Sequence, residues 1–484
     1  MVAGFFVGGQ RGGSIRRGFH FAFVHPFACV RGMSFPTDTI AALATPTGTS
    51  AIALVRVSGP DAPALTEAIF QETPLPRFAR HADYCDVSGR IVDDVLFTYF
   101  AGPGSFTGED SLEISCHGNP LIAKKILEDL LVRGCRSAEA GEFSKRAFLN
   151  GRMSLNQAEA IMDLIHARSE RALMVANQQL RGSLERRMEE LVALLINVLA
   201  NIEAYIDFPD EDLPPEDRES VLTGLNTLLA GTRQLLATGR YGELLRDGIR
   251  TVIIGAPNAG KSSLLNRLLG RERALVSSEP GTTRDYLEER IIIGDHWLRL
   301  IDTAGLNPEP GRLERQGIEK AIEQASSADI FLWVIDSQQA GRPALPAELK
   351  SRLNRENALL VYNKIDLGEV PEMKRDALDL PFVRVSALDG TGFDHLEQAL
   401  TVLAGSFQVT IGEDLIAINV RHTQALQLAR QCLEAAIEKL KQSIYSELIA
   451  SDLRGALDAF GQISGKVDNE KMLDRLFATF CIGK

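Results

Sequence analysis

The stretch "IRTVIIGAPNAGKSSLLNRLLG" (249–270) passes from β-branched residues through a glycine-bounded loop into apolar residues at helical spacing. That order predicts a strand, a turn and a helix, and the turn carries the pattern GxxxxGK[ST] from Gly255 to Ser262. Such a loop binds phosphate for physical reasons: glycines let successive N–H groups converge on the anion, the Lys261 ammonium reaches the outer phosphates, and the Ser262 hydroxyl takes a magnesium position. The positive end of the following helix completes the anion site, so Asn258, Ala259, Gly260 and Ser263 are expected to line it as well.

The segments downstream decide which nucleotide. In "IIIGDHWLRLIDTAG" (291–305) two strands meet at a Gly-Asp turn, and the second ends in Asp302-Thr303-Ala304-Gly305, where a carboxylate can hold magnesium through water and a glycine N–H can meet the γ-phosphate. Between these motifs "PGTTRD" (280–285) offers Thr282 and Thr283 on a switch-like loop. The apolar "LLVYNKID" (359–366) empties into Asn363-Lys364-Ile365-Asp366. The Asp366 carboxylate only accepts, which matches the N1–H and N2 donors of guanine and mismatches adenine. A later strand, "FVRVSAL" (382–388), brings Ser386 and Ala387 to the guanine carbonyl. Four motifs in this order, each at a strand end, define an α/β P-loop GTPase domain using GTP and Mg2+. Small GTPases carry a water-orienting glutamine after the last of these glycines, but here the residue is Leu306. Glu309 and Glu314, in the acidic segment that follows, are candidates to orient water, the alternative being that both are solvated surface charges.

The rest of the chain is read outward from that domain. At 484 residues several domains are expected. The composition, 45% hydrophobic and 24% charged, is that of a globular protein and contains no apolar run long enough to span a bilayer. A net charge of −12 excludes broad electrostatic binding to nucleic acid, so any RNA contact must be local or shared with a partner. Six scattered cysteines without a CxxC pair predict neither zinc cage nor disulfide framework and fit a cytoplasmic location. Helical periodicity runs through 155–208 and again through 421–463. Each set needs its apolar stripe covered, so the GTPase domain is expected to be inserted in an all-α domain, with the acidic 207–220 as a proline-broken connector. Residues 34–150 alternate short strands with one clear helix at 120–133, which predicts an α+β domain; His117 is expected to be structural. Residues 1–33 are arginine-rich and acid-free over their first 32 positions. They read better as an extension from a start mis-assigned upstream of Met33 than as a transit peptide, having a single serine before it. The expected boundaries are 1–33, 34–150, 151–247, 248–405 and 406–484.

The terminal "FCIGK" (480–484) fails the prenylation pattern, because Gly483 and Lys484 stand where an aliphatic and a small or apolar residue belong. With "DTIAALATP" (38–46), "GPGSFTGEDSLEISCHGNP" (102–120) and "GEFSKRAFLNGRMSLNQAEAIMDLI" (141–165), it makes the chain resemble the tRNA modification GTPase MnmE (TrmE) family over 34–484. The resemblance implies an N-terminal domain that dimerises and binds formyl-tetrahydrofolate, a helical domain built from both flanks, and the inserted GTPase domain. It implies a homodimer acting in a heterotetramer with the FAD-dependent MnmG (GidA) protein on the wobble uridine of certain tRNAs. It also assigns residues. Asn258, Ser277, Glu279 and Thr282 fall on the family's potassium site, and Ser262 and Thr283 on its magnesium site. Glu314 falls on the water-orienting glutamate, and Arg56, Glu113, Arg152 and Lys484 on the folate contacts. Cys481 becomes part of an active-site tail, the alternative being a packed terminal cysteine. A ribosome-assembly GTPase is the competing reading, but the basic RNA-binding appendage it would carry is not visible after the GTPase motifs.

Overall fold

The computed structural model describes residues 38–73, 75–207, 215–272, 288–302, 328–338, 345, 347–368, 379–407, 416–442, 445–464 and 470–483. They form two compact units, one of residues Met1–Ala42, Thr47–Ser137 and Leu149–Gly151, the other of Leu43–Pro46, Ala138–Phe148 and Arg152–Lys484.

The first unit is α+β, as expected. Its strands are β1 (Ile40–Leu43), β2 (Ile52–Ser58), β3 (Ala79–Cys85), β4 (Ile91–Phe100), β5 (Ser111–His117) and β6 (Arg136–Ser137), in sheet order β3-β4-β5-β2-β1-β6. Two helices accompany them, α1 (Ala62–Phe70) and α2 (Pro120–Val132). The second begins where predicted because Pro120 sits at its first turn and the Asn119 side chain accepts from Leu121 N at 2.9 Å. Sequence reading missed α1, whose nine residues are too few for a clear period, and β3. The latter is an edge strand in which only Tyr84 is buried, so it has no apolar alternation to read. His117 is structural, with Nδ1 2.9 Å from Asp93 Oδ1.

In the second unit, α3 (Glu142–Leu149), α4 (Leu155–His166), α5 (Glu170–Leu180), α6 (Ser183–Asp207), α7 (Pro215–Ala237) and α8 (Gly239–Asp247) precede the nucleotide-binding motifs. Helix α7 starts at Pro215, which corrects the expected connector to 220: proline fits the first turn of a helix, whose N–H needs no partner. Then come β7 (Ile249–Gly255), α9 (Lys261–Glu272), β8 (Glu288–Ile293), β9 (His296–Asp302), β10 (Ile330–Asp336), α10 (Ala347–Lys350), β11 (Ala358–Asn363), β12 (Phe382–Arg384) and α11 (Phe393–Ser406). Helices α12 (Val420–Lys441), α13 (Ser446–Ser464) and α14 (Glu470–Phe477) follow.

The strands order as β12-β11-β10-β7-β9-β8, parallel except for β8. Strands β10 and β11 are buried almost throughout, as a parallel sheet covered on both faces requires. The strand order reverses at β7, and the phosphate loop leaves its carboxyl end, the usual ligand position in open α/β sheets. The insertion is visible in the core: Leu195, Val198 and Leu228 from before the sheet pack in one cluster with Leu426, Leu433, Leu453 and Phe460 from after it. A buried ionic knot repeats the join. Arg421 on α12 donates to Glu159 on α4 at 2.9 and 3.0 Å, and His422 Nε2 lies 3.0 Å from the same carboxylate. Burial pushes the Glu159 carboxyl up, but His422 and Arg421 outweigh it and hold it below the usual carboxylate range.

Candidate functional site

The phosphate loop is shaped by close backbone approach. Gly260 has φ +92°, and a Cβ there would collide with the Asn363 side-chain nitrogen. Asn258 stands in the left-handed region at φ 62°, which asparagine tolerates better than most residues. Lys261 Nζ donates to Gly255 O at 3.0 Å and Ala256 O at 2.9 Å, so its ammonium lies within the loop. Ser262 and Ser263 follow in the first turn of α9, both exposed.

Asn363 ties the phosphate loop to the base-recognition loops. It is 1% exposed, its Nδ2 donates to Ala259 O at 3.0 Å, and its Oδ1 accepts from Ala387 N at 2.9 Å. The next residue, Lys364, has φ 66° and donates from Nζ to Asp336 Oδ2 at 2.8 Å. Burial pushes the Asp336 carboxyl up, yet the hydrogen bonds from Lys364 and Gln338 N–H, with the lysine's charge, hold it below its ordinary value. Asp366 is exposed, and its Oδ1 accepts from the buried Ser386 hydroxyl at 2.6 Å, an orientation that leaves the carboxylate at the surface. Sequence reading overlooked Asp336, although it ends β10 in register with Asn363 on β11. It also overlooked Arg267, which donates to Leu388 O at 2.8 Å and Asp389 O at 2.5 Å and so steadies the loop after Ala387.

Asp302 ends β9 in register with Ile253, beside the strand that feeds the phosphate loop. Ser277, Glu279, Thr282, Thr283, Thr303, Ala304, Gly305, Glu309, Glu314 and Lys484 lie outside the described residues.

Two of the expected folate residues come together in the first unit. Arg56 on β2 and Glu113 on β5 are directly paired across the strands, with Arg56 Nε and Nη2 3.0 and 2.8 Å from Glu113 Oε1. They line a cavity of about 450 Å³ with Arg77, Phe106 and Thr107, and the Arg56 guanidinium stands 5.3 Å from the Phe106 ring centroid. Neither Arg77 nor Phe106 was singled out from sequence, because their loops enter the cavity only through the fold. Arg152 belongs to the second unit and is exposed.

The C-terminal tail is strapped to the second unit. Gly141 N donates to Cys481 O at 3.3 Å, Ile482 forms an antiparallel bridge with Ala140, and Lys145 Nζ lies 2.5 Å from Asp474 Oδ1. Gly483 has φ +93°, and a Cβ would overlap Leu43 O and come within 2.9 Å of Ala44 Cα. Cys481 is exposed in the single chain.

A phosphate loop at the sheet's switch point, cross-tied to an aspartate-bearing base loop, defines a P-loop GTPase. A family model described as the MnmE helical domain matches residues 155–481, and one described as the GTP-binding protein TrmE N-terminus matches 39–152. A protein named tRNA modification GTPase MnmE from Opitutus terrae is 56% identical over 92% of this chain and 99% of its own length. One of the same name from Akkermansia muciniphila is 43% identical over 93% and 100%. Among solved structures, a variant of Aquifex aeolicus Era bound to GDP.AlF4- is 27% identical, covering 38% of this chain and 66% of its own with a TM-score of 0.26. The chain belongs to the tRNA modification GTPase MnmE family.

Base selectivity gives a first expected result. Asp366→Asn should weaken GTP binding by about tenfold or more, the equivalent of a lost charge-assisted hydrogen bond, and should admit xanthosine triphosphate, whose C2 carbonyl accepts from the new amide. Titration calorimetry with the two nucleotides checks it, and unchanged GTP affinity would overturn the assignment.

Proposed function

We propose that this chain hydrolyses GTP in the service of tRNA modification, acting with an FAD-dependent partner of the MnmG kind. The product is an aminomethyl or carboxymethylaminomethyl group at C5 of the wobble uridine. The observation that carries the nucleotide half is Asn363, which holds the phosphate loop and the base loop at one separation through its two ends.

The roles follow from chemistry. Lys261 neutralises the outer phosphates, and Ser262, Thr283 and Asp302 are the groups to hold magnesium, which when bound offsets charge on the transferring phosphoryl oxygens. Asn258, Ser277, Glu279 and Thr282 are the groups to hold potassium, which supplies the positive charge an arginine finger brings elsewhere. The left-handed Asn258, inside the loop, fits such a donor. Glu314 orients the attacking water in place of the glutamine that Leu306 replaces. Arg56 and Glu113 offer a paired donor and acceptor in a cavity sized for the ring portion of a reduced folate, and Arg152 and Lys484 are the further folate contacts that the family resemblance implies. Domains of 34–150, 151–247, 248–405 and 406–484, a homodimer and a cytoplasmic location complete the reading.

Turnover should rise by one to several powers of ten in potassium chloride over sodium chloride, a fraction of what an arginine finger contributes. Equal rates in the two salts would remove the potassium site. Mass spectrometry of tRNA nucleosides from cells lacking the protein tests the modification itself, and an unchanged wobble uridine would overturn it.

A further inference from the structure

Away from the nucleotide loop, strand register brings arginines opposite one another at the β8–β9 hairpin. Arg290 on β8 is paired with Arg299 on β9, and Arg299 in turn with Arg250 on β7, so three arginines share one cross-strand row. Like charges directly opposite one another on neighbouring strands repel. Two of them, Arg290 and Arg299, line a cavity of about 360 Å³ between the hairpin and helices α4, α5 and α8, where Arg168 joins them from the α4–α5 connection. Arg246 and two aspartates also line it. Four arginines and two aspartates therefore line the cavity, and one of the aspartates, Asp163, is engaged by Arg246 through bonds of 2.7 and 2.8 Å. The Arg290 guanidinium carbon stands over the Trp297 ring, 5.3 Å from its centroid, in a cation–π contact, and unpaired bases rest on aromatic and guanidinium groups of these kinds. In a chain of net charge −12, such a concentration of arginine is local.

We propose that this cavity is a docking site for the phosphodiester backbone of the tRNA, with Arg168 and Arg299 meeting phosphate and the Arg290–Trp297 pair bearing on an adjacent base. Guanidinium groups meet phosphate in bidentate fashion, and low-dielectric walls concentrate their field. The site lies on the hairpin whose second strand ends at Asp302, and therefore on the element leading into the magnesium motif. This rests on the tRNA substrate of the proposed function.

The test uses the full-length protein and unmodified tRNA, with affinity measured by fluorescence anisotropy over a range of salt. Arg290→Gln and Arg168→Gln should each weaken binding about tenfold near 0.1 M salt. Arg168→Gln should also lower the slope of log K against log salt by about 0.7 to 0.9, the share of one phosphate contact, whereas Arg290→Gln, which bears on a base, should leave the slope near the wild-type value. Arg168→Lys should recover the slope because it keeps the charge, and GTP affinity and melting temperature should stay at wild-type values in all three. The surface control Arg233→Gln on α7 should change nothing. Wild-type tRNA affinity in both glutamine variants would overturn the site. So would variants that lose binding of a free mononucleotide while keeping tRNA, which would make the cavity a small-ligand site. A wild-type protein that binds no tRNA would instead overturn the proposed function on which the site depends.

Discussion

Glu314→Ala is expected to lower GTP hydrolysis by at least about 10² to 10³ while leaving nucleotide affinity within a few-fold. A group that orients water acts in the transition state and contributes little to the bound ground state. The magnitude follows from the absence of a second candidate at the usual position, which Leu306 occupies, and from the cost of losing one positioned catalytic group. Single-turnover hydrolysis alongside equilibrium binding of GTP separates the two quantities. If Glu309→Ala gives the loss and Glu314→Ala does not, the water belongs to the other glutamate. A matching fall in affinity would show a structural effect and remove Glu314 from the chemistry.

Removing residues 481–484 is expected to abolish wobble-uridine modification and leave GTP hydrolysis near normal. The tail is bound to the segment around Gly141 and to Leu43–Ala44, with none of its described contacts on the phosphate loop. A point variant makes the same test more gently. Gly483→Ala places a methyl group against Leu43 O and Ala44 Cα at a φ that alanine resists, so the end of the tail should lift. Faster amide exchange at Gly141, whose N–H donates to Cys481 O, would report the lifting without any assay of activity. Cys481→Ser, nearly isosteric and at an exposed position, should keep the melting temperature of the wild type. Loss of modified nucleoside in Cys481→Ser assigns the thiol to the chemistry, whereas full modification in that variant and in the deletion would end the active-tail reading.

Much of this site was legible because its chemistry is local in sequence. Glycines, Lys261 and Ser262 sit within one loop, and each later motif closes a strand whose apolar run announces it, as β11 does before Asn363. The helical flanks were legible for the same reason, since a 3.6-residue period survives in a single helix. Helix α1 and strand β3 were not, the one too short to show a period and the other an edge strand with a single buried side chain.

By itself, then, the sequence determined the order of the phosphate, magnesium and guanine motifs, the helical character of both flanks and the guanine selectivity expected of Asp366. All of these depend on neighbours a few residues apart. The tertiary structure alone decided that Asn363 spans two loops, that Arg56 meets Glu113 across strands, and that α6 and α7 share a core with α12 and α13. It also decided that Arg250, Arg299 and Arg290 stand in one row, because strand register and packing across an inserted domain are set by contacts between residues far apart in the chain.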